Sequence, residues 1–294
     1  MPSSSPDRSA SSVFAATAPA LFVFLWATGF IVARYGMPHA PPLGFLSLRF
    51  LFTCAVLLPF IVAFRAAWPT REQFRPLAIA GLLVHAGYLS GVWCAVKLGM
   101  PAGLSALIVN LQPIVTALFG PWLGERVGPR QWLGLALGFA GVVLVVAHKV
   151  QVSGLSAVTI WLSVFSLASI SFGTLYQKKR IPNFDLRTGA FVQYVACLAV
   201  VGPLALLLED EPFRWNGELV FAMAWSVLGM SIGAIFLMFT LIARGAATRV
   251  ASLFYLVPPC TALMAWALFG ETFGVPALVG MVITAIGVAL VQKR

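Results

Sequence analysis

The chain has 294 residues, of which 60% are hydrophobic and only 10% charged. With a mean hydropathy of +0.95, so few charges cannot cover a water-facing surface of this size, which excludes an ordinary soluble domain and points to lipid as the solvent. The formal net charge of +10 does not indicate nucleic acid, because the basic residues sit singly or in threes between apolar runs.

Residues 1–12 are Ser-rich and polar, with Asp7 beside Arg8, and read as a disordered cytoplasmic tail. The apolar run that follows, about 20 residues from Val13, is longer than a typical signal-peptide core and reads as a retained first helix. Ten apolar stretches follow one another: 15–35, 43–64, 74–97, 101–122, 130–148, 155–177, 186–208, 218–243, 247–270 and 275–292. Each approaches the roughly 20 residues needed to cross the hydrocarbon. Backbone amides in lipid must bond internally, so these are expected to be transmembrane helices rather than isolated strands. The loops between them are too short to form a separate domain.

With the amino terminus in the cytoplasm and each span crossing once, fourteen Lys and Arg fall on the inside and four on the outside. That asymmetry matches the excess carried by cytoplasmic loops and places both termini inside. Arg49 is left within a span. The four cysteines, Cys54, Cys94, Cys197 and Cys260, lie singly in apolar runs, and no pair has metal-ligand or redox spacing. No metal and no cofactor are expected.

One stretch occurs twice. Pro101–Glu125 and Ala246–Glu271 each begin with small residues, carry a mid-span proline and end in Gly-Glu. Asn110-Leu-Gln-Pro113 lies over Tyr255-Leu-Val-Pro258 at an offset of 145 residues. Beyond the proline the offset is 146, which lays Glu125 on Glu271, Gly134 on Gly280 and Gly141 on Gly287. An internal repeat of this length divides the chain into two five-helix units, 13–148 and 155–292. Five spans per unit is odd, so the second unit enters the membrane from the opposite side. The expected fold is therefore an all-α polytopic membrane protein with ten transmembrane helices in a 5+5 inverted-topology repeat.

Several of these residues resemble a known family. Leu25-Trp-Ala-Thr-Gly29 with Arg34, Arg49-Phe-Leu, the doubled Pro…Gly-Glu segment and the glycine-rich stretches near 134–141 and 280–287 are similar to EamA-type, ten-helix members of the drug/metabolite transporter superfamily. The resemblance covers nearly the whole chain. It implies a 5+5 inverted fold and export of small metabolites, often amino acids, across a bacterial inner membrane. One departure is that Pro113 to Glu125 is one residue shorter than Pro258 to Glu271.

All nine acidic residues map to a tail, loop or helix end. A proton-driven exporter of cationic drugs normally needs a carboxylate inside the membrane, and none is available here. A carrier of phosphate esters would want several intramembrane cations, and only Arg49 qualifies. The substrate expected is therefore neutral or zwitterionic; amino acids are the class that the family resemblance implies, and aromatic ones would suit a cavity walled by Trp, Tyr and Met. Arg49 is either a gate and partner for a substrate carboxylate, or a structural charge that snorkels or caps a helix.

His85 and Tyr88 share a helix face at mid-membrane. His85 is either a neutral histidine bonded to a neighbouring helix or a substrate contact, with proton shuttling a further option. Asn110 stands beside Pro113, and Tyr255 takes its place beside Pro258 in the second unit. Interrupted helices at equivalent positions point to a central site, the alternative being kinks that serve packing alone. Trp26 and Trp161, with Tyr194, are candidate aromatic walls. The glycine faces join the fifth and tenth spans or form a dimer seam, giving a monomer or weak homodimer. Glu125 and Glu271 are expected to tie their loops to a neighbouring helix start.

The reading is an exporter working by alternating access around a cavity between the units. The alternatives are export of other metabolites or drugs of the same superfamily, or a channel or non-transporting sensor. A membrane enzyme would need a nucleophile–base pair or a metal cluster. His39, His85 and His148 lie at three depths with no acidic partner at mid-membrane, so no catalytic residue is assigned.

Overall fold

The computed structural model describes residues 7–100, 102–147, 156–181, 183–245, 247–270 and 274–293. Every regular element among them is helical. The helices are α1 (Asp7–Gly36), α2 (Pro42–Ala63), α3 (Arg71–Lys97), α4 (Ala102–Val109), α5 (Gln112–Leu118) and α6 (Pro129–Ala147). The second half holds α7 (Ala157–Arg180), α8 (Leu186–Leu208), α9 (Gly217–Arg244), α10 (Ala247–Ser252), α11 (Val257–Phe269) and α12 (Val275–Gln292). Among the described residues, eight stretches are long and apolar enough to cross a bilayer: α2, α3, α7, α8, α9 and α12, Pro129–Val146 of α6, and Ala247–Leu268, which contains α10 and α11. Thr17–Ala33 and Ser105–Leu118 are apolar but shorter.

Helix starts follow local chemistry. Pro42 begins α2 after an extended Pro41, where a missing N–H costs nothing. Ser156 Oγ accepts from Thr159 N at 3.2 Å while Thr159 Oγ1 accepts from Ser156 N at 3.1 Å, a reciprocal cap on α7. Asp185 caps α8 by accepting from Arg187 N at 2.9 Å, and the hydrogen bond from the Arg187 side chain holds its carboxyl below the usual carboxylate range. One boundary differs from expectation. Helix α1 begins at Asp7, inside the stretch read as a tail, while residues 1–6 lie outside the described ones. Residues 7–12 contain no Gly or Pro, and an aspartate is favoured at a helix amino terminus, so the helix runs on past the apolar segment.

The two halves pack with a two-fold pattern. Helix α2 packs on its counterpart α8, and α6 on its counterpart α12. Helix α1 packs on α9 and α11, and the equivalent α7 packs on α3 and α5. Each half is therefore completed by the other, and the main core gathers residues from both, among them Phe22, Trp26, Tyr88, Phe239, Phe254 and Tyr255.

The tightest seam is α6 on α12. A Cβ added at Gly141 would lie 2.6 Å from the Gly280 carbonyl oxygen, and one added at Gly280 would lie 2.6 Å from that of Gly141. Gly134 and Gly287 repeat this reciprocal contact at 2.6 Å. The glycine faces thus join two helices of one chain at a distance only glycine allows. Gly280→Leu is expected to destabilise the fold by roughly 3 kcal/mol or more, because backbone rather than a flexible side chain would have to move. Thermal unfolding in detergent checks this, and an unchanged midpoint would show that the seam is not needed.

Candidate functional site

Both long helices that face each other across the two-fold carry a π-helical segment, Leu82–Gly87 in α3 and Ser226–Ala234 in α9. Each inserts a wider turn that re-aims its side chains, a device frequent at functional sites. The first segment presents His85 and the second Ser231. Helices α2 and α8 supply Arg49 and Tyr194, which an offset of 145 residues superimposes on one another.

These groups form one buried cluster. Arg49 Nε donates to Ser231 Oγ at 2.8 Å, and Tyr194 Oη donates to the Ser231 carbonyl at 2.7 Å. The His85 ring stacks on Tyr194 at 4.6 Å between centroids, and its Nε2 bonds Gln193 Oε1 at 3.0 Å. Gln193 in turn donates through Nε2 to Gln177 Oε1 at 3.0 Å. Arg49 is 5% exposed and His85 2%. No ion pair engages Arg49 among the described residues. A guanidinium so enclosed is expensive without a counter-charge, and a single hydroxyl compensates little of it.

A second, aromatic patch adjoins the first through Tyr88, one helical turn beyond His85. Trp26 stacks on Tyr88 with centroids 6.4 Å apart and meets Phe254 edge-on at 4.9 Å. Phe22 closes on Trp26 and Phe254 at 5.4 Å and 5.3 Å. The surroundings of Arg49 therefore grade from polar to aromatic.

The expected interruptions appear as two outright breaks. After α4 the chain turns at Asn110 and Leu111, and α5 restarts with Pro113 in its first turn. In the second half the 3-10 turn Leu253–Leu256 separates α10 from α11, with Pro258 in the first turn of the new helix. Missing one N–H, each proline fits a helix start better than a helix interior. Asn110 Nδ2 donates to the Ala106 carbonyl at 2.8 Å, so its amide caps its own helix. Beside the breaks, Gln112 Oε1, Thr116 Oγ1 and Tyr255 Oη are buried with no hydrogen-bond partner among the described residues. Buried polar atoms are rarely left this way, and such orphans mark places where a ligand or water belongs.

Of the residues singled out in the sequence, Arg49, His85 and Tyr88 come together with Trp26 beside them, and Tyr255 joins the same core at the second break. Trp161 does not. It is 71% exposed on the outer face of α7, because Trp161 stands two residues from each of the buried Thr159 and Ser163, roughly 200° around the helix from both. In this conformation it lies apart from the cluster around Arg49. Trp161→Ala should alter transport by no more than about twofold, as for other surface substitutions. A larger loss in a flux assay would place Trp161 on the substrate path.

Sequence reasoning passed over Gln193, Gln177 and Ser231. Gln193 did carry a signal, as an amide inside the apolar run Ala190–Val201, where a polar side chain needs a partner. Ser231 carried none.

Carboxylates tie the two halves together at both ends of the bundle. Glu125 Oε1 accepts from Lys178 Nζ at 2.9 Å and from Ala247 N at 2.8 Å, at the start of α10. Lys178 also bonds the Gly245 carbonyl. Glu125 does tie its loop to a neighbouring helix start. Its repeat counterpart Glu271 lies outside the described residues. Toward the other end, Glu209 accepts from Leu43 N at 2.8 Å and Gly44 N at 2.7 Å, capping α2.

Comparison with known proteins agrees with this architecture. The model of the EamA-like transporter family matches the chain twice, over residues 13–147 and 157–292. An uncharacterized transporter of Bacillus subtilis (strain 168), YvbV, is 27% identical over 94% of this chain and 90% of its own. A protein of Salmonella typhimurium named "Probable amino-acid metabolite efflux pump" is 27% identical over 91% of each chain. The uncharacterized inner membrane transporter YedA of Escherichia coli (strain K12) is 27% identical over 86% of this chain and 82% of its own. A crystal structure at 18% identity superposes with a TM-score of 0.78 over 94% of this chain and 96% of that one, a likeness of fold.

Proposed function

The chain belongs to the EamA-like transporter family, and from that premise we propose that it carries small zwitterionic metabolites, amino acids foremost, by alternating access around Arg49. Ten spans in a 5+5 inverted arrangement, with both termini in the cytoplasm of a bacterial inner membrane, form the frame of this reading. The lysine and arginine asymmetry and the odd number of spans per half support it.

The observation that carries the substrate class is Arg49, a buried cation with a serine partner and no carboxylate partner among the described residues. A substrate carboxylate would complete its charge and accept the paired N–H bonds that a guanidinium offers. The orphaned Gln112, Thr116 and Tyr255 oxygens are acceptors suited to a substrate ammonium, and Trp26, Tyr88 and Phe254 supply a wall for an apolar side chain. His85, held by Gln193, acts as a binding residue that fixes Tyr194 by stacking. The relative named as an amino-acid metabolite efflux pump supports the class, and the direction proposed is export.

Alternating access follows from symmetry. Two equivalent halves that complete each other can exchange conformations, so the cluster opens first to one side and then to the other. The chain's own part is to bind, orient and exclude water. No residue needs to form a covalent bond with the substrate.

The test uses purified protein in sealed liposomes with labelled phenylalanine, threonine and methionine, with and without a pH gradient. Saturable flux with counterflow for at least one of them is the expected result. No flux of any of the three would overturn the amino-acid assignment, and non-saturable flux without counterflow would indicate a channel.

A further inference from the structure

We propose that a cleft between the first turns of α3 and the last turn of α7 is a binding site for an anionic phospholipid. The cleft has a volume of about 500 Å³ and is lined by Arg71, Arg75 and Arg180, with Tyr176 as its aromatic side and Pro76 and Ile79 as its apolar end. Glu72 also lines it, so three guanidiniums face one carboxylate.

Three features point to a phosphate-bearing lipid. The first is unmet charge. Helix α7 ends in Lys178, Lys179 and Arg180, and the first two are engaged: Lys178 by Glu125, and Lys179 by the Trp122 carbonyl at 3.0 Å and the Trp122 ring at 4.2 Å. Arg180 and its cleft neighbours Arg71 and Arg75 have no ion pair among the described residues. Arg71 moreover occupies the first turn of α3, where the helix dipole disfavours a cation, with Arg75 one turn further on. That cost falls if an anion sits between them.

The second is depth. Helix α3 spans 27 residues, roughly 40 Å at 1.5 Å per residue, and so overhangs a hydrocarbon core of about 30 Å at its ends. Arg71 and Arg75 therefore lie at headgroup level. Ile79, two turns beyond Arg71 and one beyond Arg75 along the same face, lies where acyl chains begin. The third is the polarity gradient. Guanidiniums at the mouth and Pro76 and Ile79 below match a phosphate with chains attached, whereas a free anion would leave the apolar end unfilled. Arginine suits phosphate because its planar fork donates two parallel hydrogen bonds, and basic pockets between helices at this level are where acidic headgroups bind. The proposal rests on the chain's lying in a bilayer and is independent of the substrate assigned to Arg49.

The experiment is native mass spectrometry of the full chain released from nanodiscs of phosphatidylcholine with phosphatidylglycerol or cardiolipin. Wild type is expected to retain one anionic lipid in preference to phosphatidylcholine. The R75Q/R180Q variant should bind it about thirtyfold more weakly, at about fivefold per arginine. R126Q/R130Q removes the same charge outside the cleft and should retain it. Equal retention by R75Q/R180Q and wild type would overturn the proposal, as would equal loss in both double variants. Soluble glycerol phosphate that displaces the lipid at comparable concentration would assign the cleft to a free phosphate ester instead. The elution profile on size exclusion separates loss of binding from loss of fold.

Discussion

Arg49→Gln is expected to reduce saturable amino-acid flux by at least about thirtyfold, the effect of truncating one partner of a buried charge pair, while the unliganded protein keeps or gains thermal stability. The two readouts move in different directions for a physical reason. Without substrate, Arg49 is an enclosed cation whose side-chain partner among the described residues is Ser231, and replacing it with a neutral amide removes a desolvation cost. With substrate, the same replacement leaves a carboxylate facing a neutral group. Arg49→Lys should recover only part of the activity, because an ammonium cannot offer the planar pair of donors. A decarboxylated analogue, phenethylamine, should compete poorly with phenylalanine in wild type, and that discrimination should vanish in Arg49→Gln. If Arg49→Gln instead melts at a markedly lower temperature and transports normally, Arg49 is a structural charge and the carboxylate assignment falls.

Glu125→Ala should cost roughly 2–4 kcal/mol, combining a lost helix cap with a Lys178 left without its counter-charge. The side chains of Glu125 and Lys178 are 15% and 21% exposed, so solvent cannot take over their pairing as it does for surface pairs. Adding Lys178→Met should recover part of the loss, and the double-mutant cycle isolates the pairwise share. Because Glu125 bridges the two halves at one end only, its removal should also bias the carrier toward the state open at that end. A cysteine introduced near that mouth should become more reactive, and one at the opposite mouth less so. Unchanged melting and unchanged reactivity would reduce the contact to a surface ion pair.

The fold was legible where covalent pattern and solvent act locally. Apolar runs of membrane length, Pro and Gly at their ends and the doubled Pro…Gly-Glu segment are visible in one dimension. The carboxylate of Glu125 was readable as a tether because every alternative for an acid at a helix end is solvent or a helix start. Site residues were legible only where polarity conflicts with an apolar run, as at Arg49, His85 and the overlooked Gln193. The aromatic residues carry no such conflict. Trp26 and Trp161 look alike in sequence, and only the packing turns one into the core and the other outward.

What the sequence determined by itself is a helical membrane chain of two related halves in the EamA-like transporter family. It did so because hydrophobic length and internal repetition are properties of the chain alone. The tertiary structure decided the rest. It placed wide turns at matching points of α3 and α9, brought Arg49 and its repeat counterpart Tyr194 onto one serine, and left Arg49 without a carboxylate among the described residues. The meeting of side chains depends on contacts distant in the chain, 182 positions for Arg49 with Ser231 and 37 for Tyr194 with Ser231, and no local preference records which side chains will meet when two such halves close on each other.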